Sequence, residues 1–311
     1  MQAVNKVLVA GGAGFIGSHL ADRLVKDGFA VVVLDDFSTG KLENIKEHIG
    51  RENFSLVKSD VRDEKAVREA LNGVEAVFHL AAITSVPFSV KYPRVTREIN
   101  VKGTENLLEM CLKCDVEKFV YASSCAVYGE PKYLPLDEKH PTWPLSPYAE
   151  SKLEAEGICR SFGEKYGLRT VVLRFFNVYG LRMRRDQYSG VISRFIERLS
   201  VEKPPVIYGD GEQTRDFIYV EDVVEAMMLA LNKAEASGGT FNIGSGTPLT
   251  INRLAALLME IMGVNGVKPV HRKARRGDIR HSYAEISLAE TVLGFKPQTP
   301  IEEGLAKLAA K

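Results

Sequence analysis

Tyr148 and Lys152 stand four apart in the run Ser146-Pro-Tyr-Ala-Glu-Ser-Lys152. Positions four apart share one face of a helix, so a lysine ammonium there can lie beside a phenol and draw its pKa from about 10 toward neutrality. A phenol so placed can take up and return a proton near neutral pH. Ser146 and Pro147 read as the N-cap and first residue of that helix, which sets Tyr148 in the first turn. There the helix dipole favours a negative charge by ~0.3 to 1 kcal/mol, a small aid beside a full cation.

A proton shuttle of this kind needs a redox partner, and the opening of the chain supplies a place for one. Lys6-Val-Leu-Val-Ala10 is an apolar strand that runs into Gly11-Gly-Ala-Gly-Phe-Ile-Gly17 and then a helix from Phe15 to Asp27. Gly11, Gly14 and Gly17 are spaced to let the chain turn tightly, bring backbone N–H groups to a pyrophosphate and pack helix on strand. A second strand, Ala30 to Leu34, ends at Asp35. A carboxylate there accepts the ribose hydroxyls of NAD and repels the extra phosphate of NADP, and no basic residue follows until Lys41. NAD is therefore the expected cofactor.

The remaining elements are those of a parallel sheet with crossover helices. Strands read at Val7–Ala10, Ala30–Leu34, Ser55–Lys58, Ala76–Leu80, Lys118–Ala122 and Thr170–Arg174, with helices at Lys65–Leu71, Arg94–Lys113 and Pro147–Lys165. After Phe175 the pattern turns to short elements among loops rich in Arg, Gly and Pro; Asp216–Leu231 then reads as helix and Thr240–Ile243 as strand. The expected fold is α/β, a Rossmann-type doubly wound parallel sheet over 1–175 plus 216–244, with a smaller mixed α/β substrate-binding domain over 176–215 plus 245–311.

With 41 basic against 40 acidic residues in 311, no overall field points to nucleic acid or membrane. Nothing near the start reads as a targeting or membrane segment, so the cytoplasm is expected. There are four cysteines; Cys111 and Cys114 form one C-x-x-C with no second pair to complete a zinc site, and they read as packing residues. No metal is expected. His19, in the first helix, reads as a packing or capping residue.

The glycine run, Asp60-Val61, His79-Leu-Ala-Ala82, Asn100, Ser123-Ser124, Tyr148-x-x-x-Lys152, Arg174-Phe-Phe-Asn-Val-Tyr-Gly180 and Arg215-Asp-Phe-Ile-Tyr-Val220 occur in one order over nearly the whole chain. In these the sequence resembles the extended short-chain dehydrogenase/reductases, and among them the UDP-sugar 4-epimerases. The resemblance implies that Gly11, Gly14, Phe15, Ile16 and Gly17 lie on the pyrophosphate and Asp35 on the adenosine ribose. Asp36, Phe37, Ser38, Thr39 and Gly40 would close that end, and Asp60 and Val61 would hold the adenine. Leu80, Ala81, Ala82 and Thr84, with Asn100 behind them, would wall the cofactor, and Ser123 and Phe176 complete the set with Tyr148 and Lys152. Tyr148, Lys152 and Ser124 would be catalytic, Ser124 and Tyr148 on the sugar O4. Asn177, Arg215, Arg275 and Asp278 resemble the UDP-binding set, where a planar guanidinium fork suits diphosphate oxygens.

The same resemblance implies interconversion of UDP-glucose and UDP-galactose through a transient 4-ketose, with NAD taking and returning a hydride. Ser282 falls where a gatekeeper beside the sugar C2 is expected; its small side chain leaves room for UDP-GlcNAc and UDP-GalNAc. UDP-glucuronate 4-epimerases are an alternative, since a spare arginine could pair the carboxylate. Dehydratases and decarboxylases resemble the chain less, because they carry acidic residues just after the serines where this chain has Cys125 and Ala126. The Ser123-Ser124-Cys125 run is similar to that of GDP-fucose synthases, but Leu181-Arg182 stand where their histidine would fall, and Cys125 reads as packing. A non-catalytic NAD-binding protein is the reading from another class, and the intact Tyr/Lys pair opposes it. Arg182, Arg184 and Arg185 could clamp phosphate or form a solvated loop that orders with ligand. Tyr208-Gly-Asp-Gly211 looks like a turn beside the uridine. A homodimer through a four-helix bundle is implied as well.

Overall fold

The structure is a computed structural model and describes residues 5–183, 190–264, 266–274 and 277–310. Apolar runs become strands buried on both faces, because crossover helices cover both sides of a parallel sheet. Strands β1 (Lys6–Ala10), β2 (Ala30–Asp35), β3 (Phe54–Lys58), β4 (Ala76–His79), β5 (Lys118–Ser124) and β6 (Arg169–Phe175) alternate with helices α1 (Phe15–Lys26), α2 (Glu64–Ala70), α3 (Val86–Lys91), α4 (Pro93–Arg97), α5 (Gly103–Lys113) and α6 (Pro147–Tyr166). After β7 (Asn177–Tyr179), α7 (Val191–Leu199), β8 (Val206–Tyr208), β9 (Thr214–Tyr219) and α8 (Val220–Asn232), strand β10 (Thr240–Ile243) returns to the large sheet. Its seven parallel strands run in the order β10-β6-β5-β4-β1-β2-β3. The order reverses between β1 and β4, and a crevice opens there at the carboxyl ends of the strands.

The two-residue period of the strands sorts the core into two layers. Val7, Val9, Val31, Val33 and Phe78 face α1 and α8, whose Leu20, Leu24, Val223 and Met227 pack on them. Leu8, Ala10, Val32, Leu34 and Val77 face the other way, against Val67 of α2, Leu107 and Cys111 of α5, and Ala155 and Cys159 of α6. Cys111 and Cys159 are buried and all four cysteines are unpaired, so these thiols pack as small apolar groups.

A second sheet collects short strands from distant parts of the chain. β9 pairs in parallel with β7 and with β13 (His281–Ser282), and antiparallel with β11 (Pro248–Thr250). Beside it β12 (Val270–Arg272) pairs with β8, and α7, α9 (Ile251–Ile261) and α10 (Ile301–Ala309) build a third core around Phe195, Leu254 and Leu305.

Two expected elements differ. The helix expected from Asp216 begins at Val220, because Asp216–Tyr219 belong to β9. Asp216 is wholly buried, and its carboxylate accepts the backbone N–H groups of Ser245, Gly246 and Ala284 at 2.7, 3.0 and 3.0 Å, contacts no local pattern reveals. The long helix expected over Arg94–Lys113 is α4 and α5 joined by a π-helical turn at Glu98–Lys102. That turn aims buried Asn100 at the β4 side of the crevice: its Oδ1 accepts Ile83 N–H at 2.7 Å, and its Nδ2 donates to Ile83 O and Ser151 Oγ, each at 2.9 Å. Among the described residues no helix is long and apolar enough to cross a membrane.

Candidate active site

The crevice is a cavity of about 690 Å³. Its floor is the turn between β1 and α1. Gly11 has φ of +82°, and a Cβ on it would lie 2.6 Å from Ala81 N; a Cβ on Gly17 would lie 2.2 Å from Gly11 O. Only glycines allow backbone and helix to approach this closely. Gly14 caps α1 with no side-chain hydrogen bond to the first turn, so the N–H groups there are left to face the cavity and an anion in it.

Asp35 ends β2 at the cavity wall. Its Oδ2 accepts Ala13 N–H at 2.9 Å and its Oδ1 accepts Phe37 N–H at 2.8 Å, which holds the carboxylate against the glycine turn. Burial pushes its pKa up while those two donors pull it down. Each carboxylate oxygen keeps a further lone pair for a hydroxyl. Asp36, Ser38, Thr39 and Gly40 line the same end, with Asp60 and Val61 across from them. Asp60 is engaged by Arg62, whose Nε and Nη2 lie 3.0 and 2.6 Å from its oxygens and hold its pKa below the usual carboxylate range. Leu80, Ala81, Ala82, Thr84, Ser123, Ser124, Phe176, Tyr148 and Lys152 complete the expected lining, with Phe15 and Ile16 of α1.

Two expected cofactor residues stand back from the wall. Phe37 adopts φ of +59° and packs against the core, and Asn100 braces Ile83 from behind. Lining residues not singled out from the sequence include Leu34, Ser59, Ile83 and Phe175. Leu34, Ser59 and Phe175 stand beside or within the carboxyl ends of strands, which is the signal that could have found them. Arg182 and Met183 also line the cavity; Arg182 is tied to Asp22 of α1 at 2.8 Å, and His19 hydrogen-bonds Leu181 O at 2.9 Å. His19 thus anchors the loop that carries Arg182.

Ser146 caps α6 by accepting Ala149 N–H at 3.2 Å, Pro147 opens it, and Tyr148 falls in the first turn as expected. The expected neutral-range phenol does not follow from the polypeptide. Burial pushes Tyr148 up to about 12, against the nearby Ser124 hydroxyl, which lowers it. Lys152 Nζ donates to Ala122 O at 2.7 Å and lies 4.8 Å from the Tyr121 ring centroid, so its hydrogen bond goes to β5 and not to the phenol. Burial brings Lys152 itself down to about 8. Ser124 Oγ accepts Ala126 N–H at 3.2 Å, which leaves its proton for the Tyr148 oxygen. Cys125, pushed up to about 12 by burial, packs beside Val127, Tyr128 and Phe176.

The expected sugar-nucleotide residues gather on the second sheet. Asn177 is on β7, Arg215 on β9, and buried Ser282 on β13 is in register with Arg215. Arg215 Nη2 pairs with Asp278 Oδ1 at 2.5 Å. The turn Tyr208–Gly211 is braced by Gln213, whose amide donates to Tyr208 O at 2.7 Å. Arg184, Arg185 and Arg275 lie outside the described residues. Among the described residues no cluster of His, Cys, Asp or Glu could hold a metal ion.

A glycine cradle that a Cβ would fill, an uncapped helix start and a carboxylate at the end of β2 fit a dinucleotide, and the fold and site define a doubly wound nucleotide-binding enzyme. The chain belongs to the NAD dependent epimerase/dehydratase family, whose model matches residues 7–244, within the extended short-chain dehydrogenase/reductases. NAD is its cofactor. It is 38% identical over 309 residues to the UDP-glucose 4-epimerase of Mycolicibacterium smegmatis, covering 97% of this chain and 96% of that one. The crystal structure of UDP-glucose 4-epimerase from Thermotoga maritima with UDP-glucose is similar at a TM-score of 0.92 and 39% identity, covering 98% and 97% of the two chains. The UDP-N-acetylglucosamine 4-epimerase of Methanobrevibacter ruminantium, solved with UDP-N-acetylmuramic acid, is similar at 0.94 and 38%, covering 100% and 98%.

Proposed function

We propose that the protein is a UDP-hexose 4-epimerase that interconverts UDP-glucose and UDP-galactose and also accepts UDP-GlcNAc and UDP-GalNAc. The observation that carries this reading is that Tyr148, Lys152 and Ser124 line one cavity, with no acid just beyond Ser124, where Cys125 and Ala126 stand. Elimination of water needs an acid and a base there. Removal and return of one proton needs only the phenol and its hydroxyl partner.

In this reading Tyr148 Oη takes the proton from the sugar O4, and Ser124 Oγ, able to donate or accept, holds O4 in either oxidation state. Lys152 supplies positive charge behind Tyr148. NAD, when bound, supplies the hydride acceptor that makes the C4 oxidation reversible. Arg215, Asn177 and Asp278, with Arg275, hold the uridine diphosphate while the sugar presents its other face. The M. ruminantium relative, with an N-acetylated sugar nucleotide bound, and the small Ser282 side chain opposite Arg215 support acceptance of a C2 acetamido group. We further propose a homodimer, with a second copy covering Val86, Val90, Tyr92 and Val95, which are 42 to 63% exposed along α3 and α4. The unpaired cysteines favour a reducing compartment, and the cytoplasm is the one we propose.

The test is incubation of the protein and NAD with each UDP-hexose, UDP-glucuronate included, with products resolved by NMR. Expected are equilibrium mixtures of the two C4 epimers for the glucose and N-acetylglucosamine pairs. A product short of water or carbon dioxide overturns the epimerase reading. Activity on UDP-galactose with none on either acetylated sugar overturns the role of Ser282.

A further inference from the structure

One buried carboxylate on α6 has no part in the chemistry proposed above. Glu156 stands four residues beyond Lys152 and eight beyond Tyr148, on one stripe of the helix and about 12 Å from the phenol's turn along its axis. It is 1% exposed. Its Oε1 accepts Ser123 Oγ at 2.5 Å and Arg174 Nε at 3.0 Å, and its Oε2 accepts Arg174 Nη2 at 2.7 Å. Arg174 is on β6, in register with Ser123 of β5.

The chain order of these contacts is informative. Lys152 holds the carbonyl of Ala122 and Glu156 holds the hydroxyl of Ser123, so α6 is pinned at two consecutive residues of β5. The next residue is Ser124. On its far side the Arg174 guanidinium lies 4.8 Å from the Tyr128 ring centroid, and Tyr128 Oη donates to Asn242 Oδ1 of β10 at 2.6 Å. One buried network thus joins the helix that carries Tyr148, the strand end that carries Ser124 and the next two strands on one side of it, β6 and β10.

Stability alone does not account for an ion pair here, since a buried pair of this kind can be replaced by apolar side chains of similar volume at little or no cost to the fold. What apolar side chains cannot supply is direction: three hydrogen bonds, one to β5 and two to Arg174 of β6, set both the rotation and the axial position of α6 against these strands. We propose that Glu156 is a positioning residue which, with Arg174 and Ser123, sets α6 against β5 so that the Tyr148 phenol and the Ser124 hydroxyl meet on one substrate oxygen. The inference rests on the epimerase reading.

The test compares the NAD-loaded protein with the double variant E156L/R174M. A misplacement near 1 Å costs up to ~100-fold in rate, so kcat is expected to fall about 10- to 100-fold while KM, NAD content and melting temperature stay near those of the parent. A kcat less than about fivefold below the parent in a folded, NAD-loaded double variant overturns the proposal, as does a fall in kcat that only tracks loss of NAD. Should the double variant not fold, Ser123→Ala decides: kcat lowered about threefold or more with unchanged NAD content and UDP affinity supports the role, and any other result overturns it. A parent that turns over no UDP-hexose overturns the function reading instead, so the two failures are told apart.

Discussion

Activity should fall above pH 8 because Lys152 discharges there. Burial holds its ammonium at about 8, with the Cys159 and Glu156 side chains pulling it back up. With that midpoint ~90% of the side chains are charged at pH 7 and ~10% at pH 9. The phenol, pushed up to about 12 by burial, has little anionic population at pH 8, and loss of the ammonium one helical turn away on α6 lowers it further. At saturating UDP-hexose and NAD the rate should therefore drop about tenfold per unit above pH 8. The effect on stability has the opposite sign. A lysine whose folded pKa is about 8 against 10.5 unfolded destabilises the fold while both states are protonated, and the penalty disappears as pH rises from about 8 to 10.5. Over that window the fold gains roughly 3 kcal/mol from this group. Lys118, also held at about 8 by burial, adds a contribution of the same sign. Rate and stability should thus part company: turnover measured by chromatography of the two epimers falls between pH 8 and 9.5, while the contribution of these lysines to a melting temperature followed by circular dichroism does not. A rate that is flat to pH 10 refutes the assignment of the limb to Lys152.

Three further outcomes are expected. Tyr148→Phe should keep NAD and UDP affinity, read by titration calorimetry, and lose turnover by ~100-fold or more; a rate near that of the parent would mean another base. Asp35→Ala leaves Ala13 and Phe37 N–H groups without their acceptor and removes the charge expected to face the ribose, so NAD affinity should weaken about 10- to 100-fold and discrimination against NADP should relax. An unchanged NAD to NADP ratio in a fluorescence titration would contradict the ribose assignment. Asp216→Ala strips the acceptor from three buried backbone N–H groups and should lower stability by ~3 kcal/mol in denaturant unfolding, whereas a change under ~1 kcal/mol would show that those groups find other partners.

The large sheet was legible because each of its strands is an apolar run between turns, as in Val31–Leu34, and because the glycine spacing and Asp35 state their chemistry locally. The second sheet was not. Its strands are as short as His281–Ser282, and their pairing partners lie as far as 67 residues away, as with Thr214 and His281, so no window of sequence contains the contact. Asp216-Phe-Ile-Tyr-Val-Glu-Asp-Val-Val fits a helical spacing as well as a strand, and only the pairing of β9 with three neighbours decides it. The Tyr/Lys spacing placed both side chains at the cavity, yet the direction of the phenol's pKa came from water exclusion and from the Ala122 carbonyl that takes the lysine, which spacing does not encode. Glu156 and Arg174, 18 residues apart, show no pattern that marks them as a pair.

The arrangement around Asp216 also dictates an order of assembly. As the chain leaves the ribosome, the large sheet can close once Ile243 is out, since β10 is its last strand. At that moment Asp216 is in place on β9, but its donors at Ser245, Gly246 and Ala284 are not, and β9 lacks two of its strands. A nascent protein stopped near residue 244 would therefore carry a finished large sheet beside an exposed edge strand and an acid that must stay in water. The second sheet is completed last, so truncated chains should keep the large sheet yet lose solubility.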